Sequence, residues 1–95
     1  MTLAQLTDRS AVLAAMDEFD RIGRETFLSR YGFRKSRKYF LIHNGKRYDS
    51  KAIAGAAHGY QHGVPLEWQD FNGGVSTAAA ATHLRRLGFE IETRQ

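Results

Sequence analysis

Tyr39-Phe40-Leu41-Ile42-His43-Asn44-Gly45-Lys46-Arg47-Tyr48-Asp49 is the stretch that decides the fold of this chain. Its first five residues are rich in strand formers. Asn44-Gly45 then supplies two residues that tolerate positive φ, as the centre of a tight hairpin turn requires. With that dipeptide as the loop, His43 lies opposite Lys46, Ile42 opposite Arg47 and Leu41 opposite Tyr48. Alternation puts Tyr39, Leu41, His43, Lys46 and Tyr48 on one face, and Phe40, Ile42, Arg47 and Asp49 on the other. One face must pack on helices, and the sequence leaves open which.

Upstream, Val12, Met16, Phe19 and Ile22 recur at helical spacing after three possible N-caps in Thr7–Ser10. This predicts a helix that stops at Gly23, with Asp17, Glu18, Asp20 and Arg21 mostly on its solvent side. A second helix, about Arg24–Tyr31, buries Phe27 and Leu28 and ends at Gly32, with Phe33 folding back on it. Downstream, Asp49 or Ser50 caps a third helix running to about His58 or Tyr60, its small residues allowing close approach. A loop from His62 to Asn72 carries the only proline, Pro65, with Trp68 and Phe71. An alanine-rich helix, about Thr77–Leu87, follows; Gly88 ends it, and Phe89–Glu92 alternates as a last strand added to the hairpin. The expected fold is α+β: a small single domain, residues 1–95, with two N-terminal helices, a β-hairpin plus a C-terminal strand, and two further helices.

The charge is unevenly placed. Residues 30–51 hold eight of the 14 Lys and Arg residues and one acid, a local charge of +7, whereas residues 1–29 carry −2 and residues 52–95 carry −1. A basic middle interleaved with aromatics offers a polyanion a docking surface, because each neutralised phosphate releases counterions. A merely solvated basic face is the alternative. Arg34, Lys35, Arg37, Lys38, Lys46, Arg47 and Lys51 are the candidate phosphate ligands. Lys51 is notable because a cation in a first helical turn opposes the macrodipole unless an anion is held there. Tyr39, Tyr48 and Trp68 have polar tips, and are the candidates for stacking on or reading a base.

Other chemistry is poorly supported. With no cysteine there is no disulfide framework and no thiolate metal site. His58 and His62 are spaced like two zinc ligands, but glycines flank them and no third ligand follows. Gly73-Gly74 before a Ser/Thr-started helix has the outline of an anion cradle without the Lys-Ser/Thr of a Walker loop. No catalytic residue, metal or cofactor is expected. No apolar run approaches the ~18 residues of a membrane span, and Met1–Leu6 lacks a signal peptide's basic start. A cytoplasmic location without membrane contact is the expectation.

Taken in order, Phe27-Leu28-x-x-Tyr31-Gly32-Phe33, Tyr39-x-Leu41-x3-Gly45-x2-Tyr48-Asp49-Ser50-Lys51-Ala52-Ile53, Phe71-x-Gly73-Gly74 and Leu87-Gly88-Phe89-Glu90-Ile91 form a pattern. It resembles the N-terminal head domain of McrA-like (ScoMcrA-like) modification-dependent HNH endonucleases, the type IV restriction enzymes of bacteria. The likeness spans roughly residues 12–92 and contains no catalytic signature. In those enzymes the head precedes further DNA-reading domains and an HNH nuclease, so the resemblance implies a non-catalytic module of a longer enzyme. It further implies contact with DNA, including DNA that carries a modified base, and favours Tyr48, Ser50, Lys51, Gly73 and Gly74 as its contact residues. The rival expectation is a protein-interaction module whose basic face docks on an acidic partner or on the rest of the parent enzyme.

Overall fold

The hairpin forms in the expected register. In the computed structural model, which describes residues 2–71 and 77–94, β1 (Tyr39–His43) pairs antiparallel with β2 (Lys46–Asp49). His43 lies opposite Lys46 and Leu41 opposite Tyr48, and Asn44 and Gly45 take φ of 51° and 76°. A third strand, β3 (Glu90–Thr93), adds to the other edge of β1 with Leu41 opposite Ile91, giving the order β2-β1-β3.

The helices pack on the face bearing Leu41 and Tyr48. Both residues are buried and join the core that the helices build. On the opposite face Phe40 is also buried, with the Arg47 guanidinium 5.5 Å from its ring centre. The flat cation thereby lies over an apolar side chain that stands outside the core cluster built by the helices.

Helix α1 (Arg9–Ile22) starts at Asp8, whose carboxylate accepts from the Ser10 amide at 2.9 Å. It packs most extensively on α3 (Ser50–His62). Helix α2 (Arg24–Tyr31) ends at Gly32 in the left-handed region, and the Phe33 amide returns to the Leu28 carbonyl at 3.0 Å. This is the glycine-terminated cap expected there. Helix α3 runs to His62, past the expected end near Tyr60. Tertiary ties hold its last turn: Gln61 Oε1 accepts from the Thr7 and Asp8 amides, and the His62 ring donates to the Gln5 carbonyl. Helix α4 (Thr77–Arg86) buries Ala80, Ala81 and Leu84 and leads through Gly88 to β3.

Gly55 shows why α3 is made of small residues. A Cβ there would lie 2.7 Å from both the Leu66 carbonyl oxygen and the Phe33 ring. The bare backbone lets the loop after α3 lie flat on the helix, where the Leu66 amide donates to the Gly55 carbonyl at 3.1 Å. A 3-10 turn, Trp68–Phe71, closes that loop and buries Phe71 against Phe33. Among the described residues no helix is long and apolar enough to cross a membrane.

Candidate nucleic-acid interface

Three hydrogen bonds gather distant parts of the chain at one end of the sheet. The Ser36 amide donates to Asp49 Oδ2 at 2.8 Å, tying the basic connector 34–38 to the end of β2. Ser50 Oγ donates to the Tyr39 carbonyl at 3.0 Å, joining the start of α3 to the start of β1. The Arg94 amide donates to the Lys38 carbonyl at 2.6 Å, bringing in the residue after β3. Arg34, Arg37, Lys38 and Arg94 are all exposed there, and none pairs with an acid among the described residues. Arg94 lies outside the basic stretch; only the strand order reveals that it belongs to this end.

Other cations of the stretch have local partners. Lys35 Nζ lies 3.7 Å from Glu25, and Lys46 Nζ lies 3.5 Å from Asp20. Arg47 Nε sits 2.9 Å from Glu92, too poorly aligned for a full hydrogen bond. Arg30 is used structurally, donating to Glu18 at 2.6 Å. The pairs of Lys35, Lys46 and Arg47, exposed or half-exposed on both sides, are worth little and leave these cations free to exchange for phosphate. Lys51 is half-buried, its Nζ 5.5 Å from the ring centre of Phe71. Gly73 and Gly74 lie outside the described residues.

Burial removes two of the expected contact residues. Tyr48 is 3 % exposed, its ring is edge-on to Phe19, and its hydroxyl donates to Asp20 at 3.0 Å. It presents no free face to a base. Burial and the nearby Asp20 carboxylate push its phenol pKa up to about 12. Ser50 is 0 % exposed and its hydroxyl is spent on Tyr39, so it is out of a phosphate's reach. Both lie on or next to the core-facing side of β2, which the alternation alone does not assign. Tyr39 is half-buried with the Lys38 ammonium 5.5 Å from its ring centre, and Trp68 is 51 % exposed.

Glu18 corrects the reading of α1. Expected mostly on the solvent side, it is buried, and accepts from Arg30 Nη1 at 2.6 Å, Tyr31 Oη at 2.5 Å and Tyr60 Oη at 2.8 Å. Burial opposes its charge, but the donors Tyr31, Arg30 and Tyr60 outweigh it and hold the carboxyl below its ordinary range. Burial and the same carboxylate raise the phenols of Tyr31 and Tyr60. The donors come from α2 and α3, so nothing in the spacing of α1 announces them.

The paired histidines have structural employment. His58 is fully buried and its Nδ1–H donates to the Val64 carbonyl at 2.7 Å, leaving Nε2 without a partner among the described residues. The His62 ring lies 4.7 Å from it and donates to Gln5. Among the described residues no three His, Cys, Asp or Glu side chains converge as a metal site.

Comparison with known proteins places this arrangement in a family. Residues 4–93 match the family model described as the ScoMcrA-like N-terminal head domain. Among solved structures, the chain is similar to the type IV phosphorothioation-dependent restriction endonuclease ScoMcrA, with a TM-score of 0.68 and 38% identity. That match covers 94% of this chain but 13% of the endonuclease. A search of the curated proteins finds no match. With 90 of its 95 residues matched by the family model, this chain belongs to the ScoMcrA-like N-terminal head domains.

Proposed function

We propose that this domain is a non-catalytic DNA-contacting module of a longer modification-dependent restriction endonuclease. Its grip on DNA is through the phosphates rather than the bases. The observation that carries this reading is the cluster Arg34, Arg37, Lys38 and Arg94, exposed at one end of the sheet without acidic partners among the described residues. Unpaired cations held together on one surface are what a polyanion rewards. Lys35 and Lys51 are the cations that extend the contact from this end, whereas Lys46 and Arg47 sit nearer the hairpin turn on opposite faces of the sheet, beside Asp20 and Glu92. The Cα trace extends 30 Å along its longest axis, comparable to one helical turn of B-DNA at about 34 Å, so the face meets phosphates of about one turn. Of the three candidate base contacts, Trp68 and Tyr39 keep surface to offer a base and Tyr48 does not.

The test is fluorescence anisotropy against matched 20-mer duplexes, unmodified, phosphorothioated, 5-methylcytosine, 5-hydroxymethylcytosine and N6-methyladenine, at several salt concentrations. Phosphate gripping predicts equal binding to all, with log K falling steeply as log salt rises. A preference of about tenfold for one duplex, about 1.4 kcal/mol, would instead make the domain a reader of that modification, phosphorothioate being the one named for the similar endonuclease. A second reading has its own support: the match fills 13% of the similar endonuclease, and in a parent enzyme of that build the basic face would have neighbouring domains to dock on. Absence of DNA binding at low salt, with capture of an acidic domain of the parent enzyme, would favour that reading.

A further inference from the structure

The single acid in the basic stretch, Asp49, invites an explanation. An exposed carboxylate in a DNA-contacting face repels the ligand. Asp49 is instead 1 % exposed, and both its oxygens are occupied. Arg24 at the start of α2 donates from Nε to Oδ1 at 2.8 Å and from Nη2 to Oδ2 at 2.8 Å, the two-pronged geometry that guanidinium and carboxylate favour. The Ser36 amide adds a third bond to Oδ2 at 2.8 Å. Although Asp49 is the residue before α3, its carboxylate makes no capping bond to that helix.

The connector needs such an anchor. Residues 34–38 belong to no helix or strand. Among the described residues their backbone is held by two bonds, Ser36 N–H to Asp49 and Lys38 C=O from Arg94. The first lies between Arg34 and Arg37, in the middle of the unpaired cations. Ordering a segment costs entropy, and a face ordered before its ligand arrives does not spend binding energy on that step.

We infer that Asp49, clamped by Arg24, is a positioning residue of the DNA interface: it holds the Ser36 amide and so presents Arg34, Arg37 and Lys38 as one surface. This rests on the DNA-contacting reading above. It makes a prediction opposite in sign to simple electrostatics. Removing an acid from a basic face should strengthen DNA binding, whereas removing an anchor should weaken it.

The experiment compares wild type, Asp49→Asn, Glu25→Gln and Ser36→Pro for binding to an unmodified 20-mer duplex across a salt series, each well below its own Tm. Glu25→Gln, at an exposed acid 3.7 Å from Lys35, is the electrostatic control and should bind slightly tighter. Asp49→Asn should bind at least about threefold weaker, with a salt slope shallower by about 0.9 for each phosphate that the displaced connector no longer reaches. Ser36→Pro removes the amide hydrogen without changing the charge or the Arg24–Asp49 pair, and should weaken binding to the same extent. If Asp49→Asn does not fold, Ser36→Pro decides alone. Tighter binding by Asp49→Asn, or wild-type affinity and slope in Ser36→Pro, overturns the positioning role and leaves DNA binding standing. A wild type that binds no duplex at low salt overturns both.

Discussion

Helix α2 is bolted at both ends by arginine–carboxylate pairs, and the two bolts differ in what else they hold. At its start, Arg24 meets Asp49, whose remaining hydrogen-bonding capacity goes to the backbone of a basic connector. Near its end, Arg30 meets Glu18, which also accepts from Tyr31 and Tyr60 and so links α1, α2 and α3. Both acids are buried while both arginines keep contact with solvent. Burial alone therefore does not say what an acid is for. Its other donors do: an irregular basic segment in one case, two packed helices in the other.

Of the changes that would break this distinction, Glu18→Ala should have the largest effect. It strips three donors of their acceptor and should cost about 2–3 kcal/mol of unfolding free energy, less than a wholly buried pair because Arg30 and Tyr60 can turn to water. Urea melts measure the cost. DNA affinity per folded molecule should not change, and a change would erase the distinction between the two bolts. Next is the double reversal Arg37→Glu with Lys38→Glu. It should weaken every duplex about equally, by roughly tenfold or more, and make the salt slope shallower by about 1.8, the share of two phosphates. Its urea midpoint should stay near wild type, since exposed substitutions typically lie within about 0.5 kcal/mol.

The pH dependence sharpens the comparison from the Glu18 side. Its folded carboxyl titrates below its ordinary value, with burial opposing and the Tyr31, Arg30 and Tyr60 donors prevailing. The charged form is thus favoured more in the folded than in the unfolded chain. The stabilisation is present above the unfolded pKa and is lost as pH falls through the folded one. Wild type should lose urea stability on going from pH 6 to pH 3 more steeply than Glu18→Gln; parallel curves would refute the linkage. Tyr60→Phe should be the mildest change, about 0.5–1.5 kcal/mol. It removes one of three donors from a residue already 46 % exposed.

Much of the architecture is legible in the chain because it is encoded locally. Asn44-Gly45 sets the hairpin register, and Gly23, Gly32 and Gly88 punctuate the helices where the apolar spacing ends. The candidate interface is legible only as charge. Position on a two-sided strand is not legible: alternation groups Tyr48 with Leu41 but is silent on which side meets the helices, so a core tyrosine reads as a base contact. Glu18 reads as solvent-facing for a related reason. Its neighbours in sequence suggest water, and its partners come from residues 30, 31 and 60. Arg24 and Asp49 meet across 25 positions, and Arg94 joins Lys38 across the sheet. Such pairings are set by topology, which no local pattern reports.

The central position of β1 carries a consequence for the order in which the molecule is put together. Its partner on one side is two residues away along the chain, whereas its partner on the other is β3, with α3 and α4 synthesised in between. Closing the short loop costs little entropy and closing the long one costs more, so the hairpin is expected to zip early and β3 to dock late. Arg94 reaches Lys38 only in that second event. Arg94 thus joins the cationic surface late in folding, and a chain whose β3 has not yet docked presents Arg34, Arg37 and Lys38 without this fourth charge.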